Sequence, residues 1–379
     1  MKKIRFIIFT ICILILISCS QKKNYTVEVK DGVEIITNKN IESSPKLKLD
    51  LKLISDISLD SLVLPDSIPA MESFSMTALD NDGNIYISHF GKSIVYKLDE
   101  NANYVTNFHR KGQGPGESIV INDIKTINDS VYVFGEYGKT AIYSKLGNFI
   151  RQVRLLDGKY RALQILISDD NIFCYSRNIT YDMEEKIENT TLGVYLLGKN
   201  NLESYSKILE INSTVDLNNY RYLMNDEQRR FSFYNGQIYV EDLSFTNYAV
   251  DIYDLHGKKR RRIEKQTRKI ACSDKFKDKI KKKNQRGSSV KFIADYMKQI
   301  LWMYVDKNEN LWIKPAIEGL EFDHQFFDIF NSEGIFLKRI KFPLPDSFKL
   351  LIFDKSKLIA IDRDNCIVKV FKYDFINHE

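Results

Sequence analysis

The chain is 379 residues long, carries a formal net charge of +6, and is 44% apolar and 12% aromatic, enough apolar material for a large buried core. Beyond the N-terminal segment no apolar stretch approaches the ~18 residues that cross a bilayer as a helix. The five cysteines, Cys12, Cys19, Cys174, Cys272 and Cys366, fit neither metal-ligand spacing nor a disulfide framework, so stability has to come from packing.

Lys2, Lys3 and Arg5 form a positive start, and residues 6–17 are an apolar run of about a dozen residues, too short to span a ~30 Å hydrocarbon core but suited to a signal-peptide h-region. The run ends in Leu16-Ile17-Ser18-Cys19, which resembles the lipobox of bacterial lipoproteins: an aliphatic residue, a small residue that fits the signal peptidase, then a thiol that accepts the lipid. That resemblance implies residues 1–18 as a lipoprotein signal peptide and Cys19 as the acylated residue, with palmitate-type chains holding the mature protein on a membrane it does not span. An ordinary cleaved signal beside a coincidental cysteine is the alternative. Residues 20–24 carry no acidic run, which favours the periplasmic face of an outer membrane over the cell surface. Residues 19–46 read as a tether, and 47–379 as the folded domain.

Within that domain one unit recurs at roughly 45 residues. A polar turn followed by a short alternating strand appears at 80–87, 128–133, 169–174, 235–240, 306–313 and 354–360. A second hairpin follows at 94–106, 141–150, 193–204, 251–257 and 328–335, with β-branched and aromatic residues on either side of Asn, Gly or Asp turns. A period of 40–50 residues holding four short strands is the pattern of a propeller blade. The predicted fold is therefore all-β, a six-bladed β-propeller of four-stranded antiparallel blades. The sixth unit ends without an outer strand, and the strictly alternating residues 47–53 are predicted to supply it. Longer spacings mark insertions: an extended loop at 181–191, a segment at 209–230, and a short helical insertion between blades 4 and 5. In the last, Ser273 would N-cap a basic helix to about residue 283, and 289–303 has helical spacing of Val290, Ile293, Tyr296 and Met297.

These residues resemble the NHL-type repeat, and more narrowly the six-bladed β-propeller lipoproteins of exported bacterial proteomes. The likeness rests on the recurring Asn-x-x-aliphatic-Tyr-Ile/Val pattern and on Arg110-Lys111-Gly112-Gln113-Gly114-Pro115-Gly116-Glu117, which is similar to that family's Gly-rich linker. It covers most of 47–375, while the third and fourth units lack the linker motif. The family includes lyases, ligand binders and scaffolds, so the likeness implies a fold rather than an activity.

The Gly-rich stretch at 112–116 is not a phosphate loop: the strand-GxxxxGK[ST]-helix context is missing and Pro115 interrupts the backbone donors. Such crossings lie on the face where propellers take ligands, which makes Arg110, Lys111, Gln113 and Glu117 the candidate ligand rim. The run beginning at Asp80 starts like a calcium loop, but its twelfth position is Gly91 rather than a bidentate Glu, so it reads as a turn. Among the five histidines, His89, His109, His256, His324 and His378, no pair has metal-site spacing. His89 follows an inner-region strand and is the candidate for the central channel. No nucleophile elbow is present.

Charge is uneven. Residues 258–286 hold fifteen Lys and Arg, Lys258 and Arg286 among them, against Glu264, Asp274 and Asp278. They read as a solvated insertion or, alternatively, as a patch for anionic membranes. The expectation is a lipid-anchored, monomeric binding or scaffolding module for a glycan, peptide or protein, with no cofactor, no metal and no nucleic-acid partner. The alternative is a propeller enzyme (lyase, lactonase or glycan-cleaving) with its site in the central channel.

Overall fold

The structure is a computed structural model. It describes residues 23–59, 74–216, 231–278 and 296–377, apart from 45, 90, 102, 159–160, 169–170, 183, 186, 199–201, 243–246, 275–276, 321–324, 346, 349, 355–356 and 363–364. The signal segment and Cys19 lie outside these residues.

The first three strands, β1 (Tyr25–Lys30), β2 (Val33–Asn38) and β3 (Leu47–Ser58), precede the blades. Blade 1 is β4 (Phe74–Leu79), β5 (Ile85–His89), β6 (Val95–Leu98) and β7 (Tyr104–Phe108). Blade 2 is β8 (Asp123–Ile127), β9 (Ser130–Phe134), β10 (Lys139–Ser144) and β11 (Phe149–Arg154). Blade 3 is β12 (Arg161–Ser168), β13 (Asn171–Asp182), β14 (Ile187–Leu197) and β15 (Tyr205–Asp216). Blade 4 is β16 (Phe231–Tyr234), β17 (Gln237–Glu241), β18 (Ala249–Tyr253) and β19 (Lys259–Lys265). Blade 5 is β20 (Ile300–Val305), β21 (Leu311–Pro315), β22 (Phe326–Phe330) and β23 (Phe336–Lys341). Blade 6 is β24 (Leu350–Asp354), β25 (Lys357–Asp362) and β26 (Ile367–Asn377), completed by β3.

The turns repeat one chemistry. Asp80 Oδ1 accepts the backbone N–H of Asp82 and Asn84, and its Oδ2 accepts Asn84 Nδ2 and the Tyr86 hydroxyl. Asp306 does the same for Asn308, Asn310 and the Trp312 indole. Asp99 and Asp254 hold the turns at 99–103 and 254–258 with the same backbone bonds. A carboxylate that binds the backbone two and four residues on closes the turn and leaves the next residues free to extend.

A four-stranded sheet cannot cover both its faces, and here each blade packs on its neighbours. Six apolar clusters lie one between each adjacent pair. Tyr86 and Val95 of blade 1 meet Ile124 and Val131 of blade 2, and Phe134 and Ile142 meet Ile165 and Cys174. Phe173 and Tyr175 of blade 3 meet Phe231 and Phe233, while Val250 and Ile252 meet Met303 and Leu311. Trp312 and Phe327 of blade 5 meet Leu358 and Tyr373, and Ile361 and Val368 of blade 6 meet Ile85 and Tyr96 of blade 1. The last cluster closes the ring, so the chain is a six-bladed β-propeller.

Closure is made by β3, which pairs antiparallel with β26 from Leu47↔Asn377 to Ser58↔Ile367, as the alternation of 47–53 predicts. The segment before it is more ordered than a tether implies. β1 and β2 form a hairpin around Asp31-Gly32, and β2 adds parallel to the outer edge of blade 4, making that sheet six-stranded. Asn38, 1% exposed, donates to Glu264 O and Gly334 O and accepts the Phe336 N–H. The chain then crosses blade 5, with Ser44 N–H to Leu337 O and Arg339 N–H to Glu42 Oε1. Residues 25–58 thus belt together blades 4, 5 and 6.

Of the three expected insertions, the first is corrected and the other two are corrected only in part. Residues 181–182 and 187–191 are the ends of β13 and β14, whose pairing runs out to Asp182↔Ile187, and Asn and Thr side chains bridge β14 to β15 at the same level, Thr191 to Asn212 and Thr214 to Asn189. Residues 209–216 are outer strand β15, and 217–230 lie outside the described residues. The helical spacing over 289–303 does not hold at its end. Residues 300–303 are strand β20, where Ile300, Leu301 and Met303 are all buried, and burial on both faces erases the period-2 signal that separates strand from helix. Of the expected basic helix, a first turn is described, with Lys277 N–H donating to Ser273 O, and 279–295 lie outside the described residues.

Candidate functional site

Strand alternation sorts the loops. The links from second to third strand and those from outer strand to the next blade's inner strand share one face of the ring. That face gathers residues 91–93, 109–122 and 135–138. Ser93 Oγ donates to Ile119 O at 2.8 Å, joining the first two.

The 109–120 crossing is built around a carboxylate and a histidine. Glu117 accepts the Gly114 N–H and the Arg110 guanidinium at 2.9 and 2.6 Å, and these bonds hold its carboxyl below the usual range. A Cβ on Gly112 would lie 2.0 Å from Glu117 Oε2, so the loop can wrap that carboxylate only with glycine there. Lys139 Nζ donates to the Gln113 and Gly114 carbonyls, and Gln152 accepts the Gly116 N–H.

Tyr143 donates its hydroxyl to Gly116 O at 2.6 Å, so it accepts from His109 Nδ1–H at 2.9 Å. His109 Nε2 is then the acceptor for Ser118 Oγ–H at 2.6 Å. Burial, with Lys139 nearby, pushes the imidazole down to about 4, which keeps it neutral. A serine hydroxyl on a histidine has the connectivity of an activated nucleophile. Here Ser118 is 2% exposed and the other ring nitrogen faces a tyrosine rather than a carboxylate, so the pair locks the loop.

The four predicted rim residues therefore divide. Arg110, with its side chain 79% exposed, and Lys111 and Gln113 face solvent. Glu117 is turned inward as the loop's hub. His89 ends β5 on the same face but is 5% exposed, its backbone N–H bonded to Ile94 O. Among the described residues no three His, Cys, Asp or Glu side chains group as metal ligands would.

The face also holds residues that sequence reasoning passed over. Glu136 Oε2 accepts the N–H groups of Ile119 and Val120, leaving both side chains exposed beside the linker. Tyr137 is 69% exposed and sits at φ 49°, a left-handed conformation an aromatic residue rarely takes. Gly135 and Gly138, flanking Glu136 and Tyr137, were the available signal for a tight, projecting turn.

The basic stretch from Lys258 is corrected too. Its first part is no insertion: residues 259–265 are β19, and their charges are matched. Lys259 pairs with Asp251, Arg260 with Asp254, Arg261 with Glu34, and Arg262 with Asp242, Asp251 and Glu264. Lys265 is fully buried against Asp328, which also takes the Arg339 guanidinium and the Tyr248 hydroxyl. Burial drives Lys265 below its ordinary value; burial raises the Asp328 carboxyl, but Arg339 and Lys265 outweigh it and hold the group low.

No sequence-family profile and no curated protein matches the chain. Among solved structures it is similar to a protein of Bacteroides fragilis whose name gives export as an expectation, at 12% identity and a TM-score of 0.50 over 90% of this chain and 99% of that one. A member of the DUF4221 family from Bacteroides vulgatus is similar at 12% identity and a TM-score of 0.51, over 87% and 99%. BamB from Moraxella catarrhalis gives 11% identity and a TM-score of 0.43, over 87% and 99%. At these identities the first two likenesses show the propeller fold alone.

Proposed function

We propose that this protein is a lipid-anchored binding module of the bacterial cell envelope, held through Cys19 on the periplasmic face of an outer membrane. In this reading it takes a peptide, protein or glycan partner on the face that carries residues 109–120. The observation behind the reading is that this loop is over-determined from below and open above. Glu117, His109, Lys139, Tyr143 and Gln152 fix its backbone, while Arg110, Lys111, Gln113, Ile119, Val120 and Tyr137 stand in solvent. Rigid backbone under exposed aromatic, apolar and guanidinium groups is the composition of interface hot spots.

The test is retention on glycan and peptide arrays by the soluble mature chain, compared with Arg110→Ala and Tyr137→Ala. The reading expects a retained ligand whose binding weakens by about tenfold or more in each variant. A ligand that is turned over rather than held, or binding indifferent to both changes, would defeat it.

A further inference from the structure

The N-terminal hairpin fixes where the chain leaves the ring, and this determines how an anchored propeller can sit. β1 is the free outer edge of the blade 4 sheet. It is fastened through β2 by parallel pairing to β19, by the Arg261–Glu34 ion pair and by the three hydrogen bonds of Asn38. From Cys19 to Tyr25 the chain can reach at most about 20 Å, whatever its conformation. A six-stranded sheet is itself about 24 Å across. An acyl group on Cys19 therefore cannot let the domain drift far, and it pulls on one edge of the ring rather than on either face.

We propose that the bilayer interface is the docking partner of this edge, so that the propeller stands edge-on with blade 4 toward the membrane and blade 1 away from it. This inference rests on the acylation of Cys19 proposed above. Two observations favour a lipid surface, the apolar edge of β1 and the lysines of the wall beside it. Val27 and Val29 lie on one face of β1 and are 51% and 73% exposed, offering apolar side chains to the headgroup boundary. Lys23 and Lys30 are exposed at the two ends of the strand, but the equally exposed Glu28 and Asp31 offset them, so the hairpin itself is close to neutral. Further along the same wall, between the outer strands of blades 5 and 6, lies a groove of about 260 Å³ lined by Lys48, Lys338 and Lys341. Glu42 and Asp50 lie on that wall as well, yet lysines outnumber them, which suits anionic headgroups. An edge-on pose also leaves residues 109–120 clear of the bilayer and open to a partner.

The experiment uses the full acylated chain in vesicles containing spin-labelled lipid, with a fluorophore on Val29→Cys, Val105→Cys or Lys111→Cys. Val105 is on β7, the outer strand of blade 1, and Lys111 is on the proposed binding face. Cys174, Cys272 and Cys366 are buried and are not expected to label. The proposal predicts quenching at position 29 and little at 105 or 111. Stronger quenching at 111 than at 29 means face-on contact and overturns it, as does equal quenching at all three. Crosslinking between two Val29→Cys chains in detergent would mean that a second copy covers the edge, which also overturns it. Mass analysis of the N-terminal peptide separates the two claims. An unmodified Cys19 ends the anchoring reading and this one with it, whereas an acylated chain unquenched at 29 ends this one alone.

Discussion

Asp306 is 1% exposed and holds two backbone N–H groups, an asparagine amide and the indole of Trp312, itself fully buried between blades 5 and 6. Removing the carboxylate strands those donors, so Asp306→Ala is expected to cost about 3 kcal/mol in urea unfolding, with Asp306→Asn recovering part of it. A loss under about 1 kcal/mol would contradict the role. His109 makes a pH prediction. Its folded value near 4 lies below the ordinary 6.5, so between these values the unfolded chain binds the extra proton. Stability that is present above pH 6.5 is then lost as pH falls toward 4, by on the order of 2–3 kcal/mol. Denaturant midpoints measured across that window should fall steeply for the wild type and more shallowly for His109→Gln. Parallel slopes would show that His109 is not buried neutral. Neither role is visible in a one-dimensional reading: Asp306 reads as a turn residue, and what surrounds His109 comes from the next blade.

At the scale of elements, the N-terminal belt separates what the sequence makes legible from what it does not. Strand β3 was readable because 47–53 alternates strictly and the last blade lacks a strand. Residues 25–38 carry an equally clear local signal, an Asp-Gly turn between alternating runs. They fall outside the 45-residue repeat, however, and nothing local says that β2 docks in parallel on β19. The outer position of the hairpin leads to a prediction. A chain beginning at residue 40 should still unfold cooperatively, whereas one beginning at residue 60 should not, since it lacks the fourth strand of blade 6. Hydrogen exchange on Asn38→Ala should show protection lost over 25–38 while β26 stays protected. Loss in both would show that the hairpin is integral to the ring.

For the whole molecule, blade number and order follow from the repeat, because each copy states its own turns and strands. Charge does not follow so simply. The cationic run at 258–268 looks like a free patch in sequence, yet Glu34, Asp251 and Asp328 from other strands, and Asp242, Asp254 and Glu318 from the turns and loops beside them, meet it. Lys265, Asp328 and Arg339 join blades 4 and 5, and Asp328→Ala leaves two cations without their anion. It should destabilise the fold by roughly 3–5 kcal/mol, and a near-neutral effect would argue against the buried cluster.

Everything functional here depends on six sheets forming a ring closed by β3 on β26. Lys52 and Lys372 are register partners across that seam and both are exposed, and facing Cα atoms in an antiparallel pair lie within disulfide reach. In the double variant Lys52→Cys and Lys372→Cys, mild oxidation should form an intrachain disulfide in native protein and raise the unfolding midpoint, with reduction reversing both. Two thiols that stay free under oxidation, or that link only between chains, would mean that the ring is not closed this way.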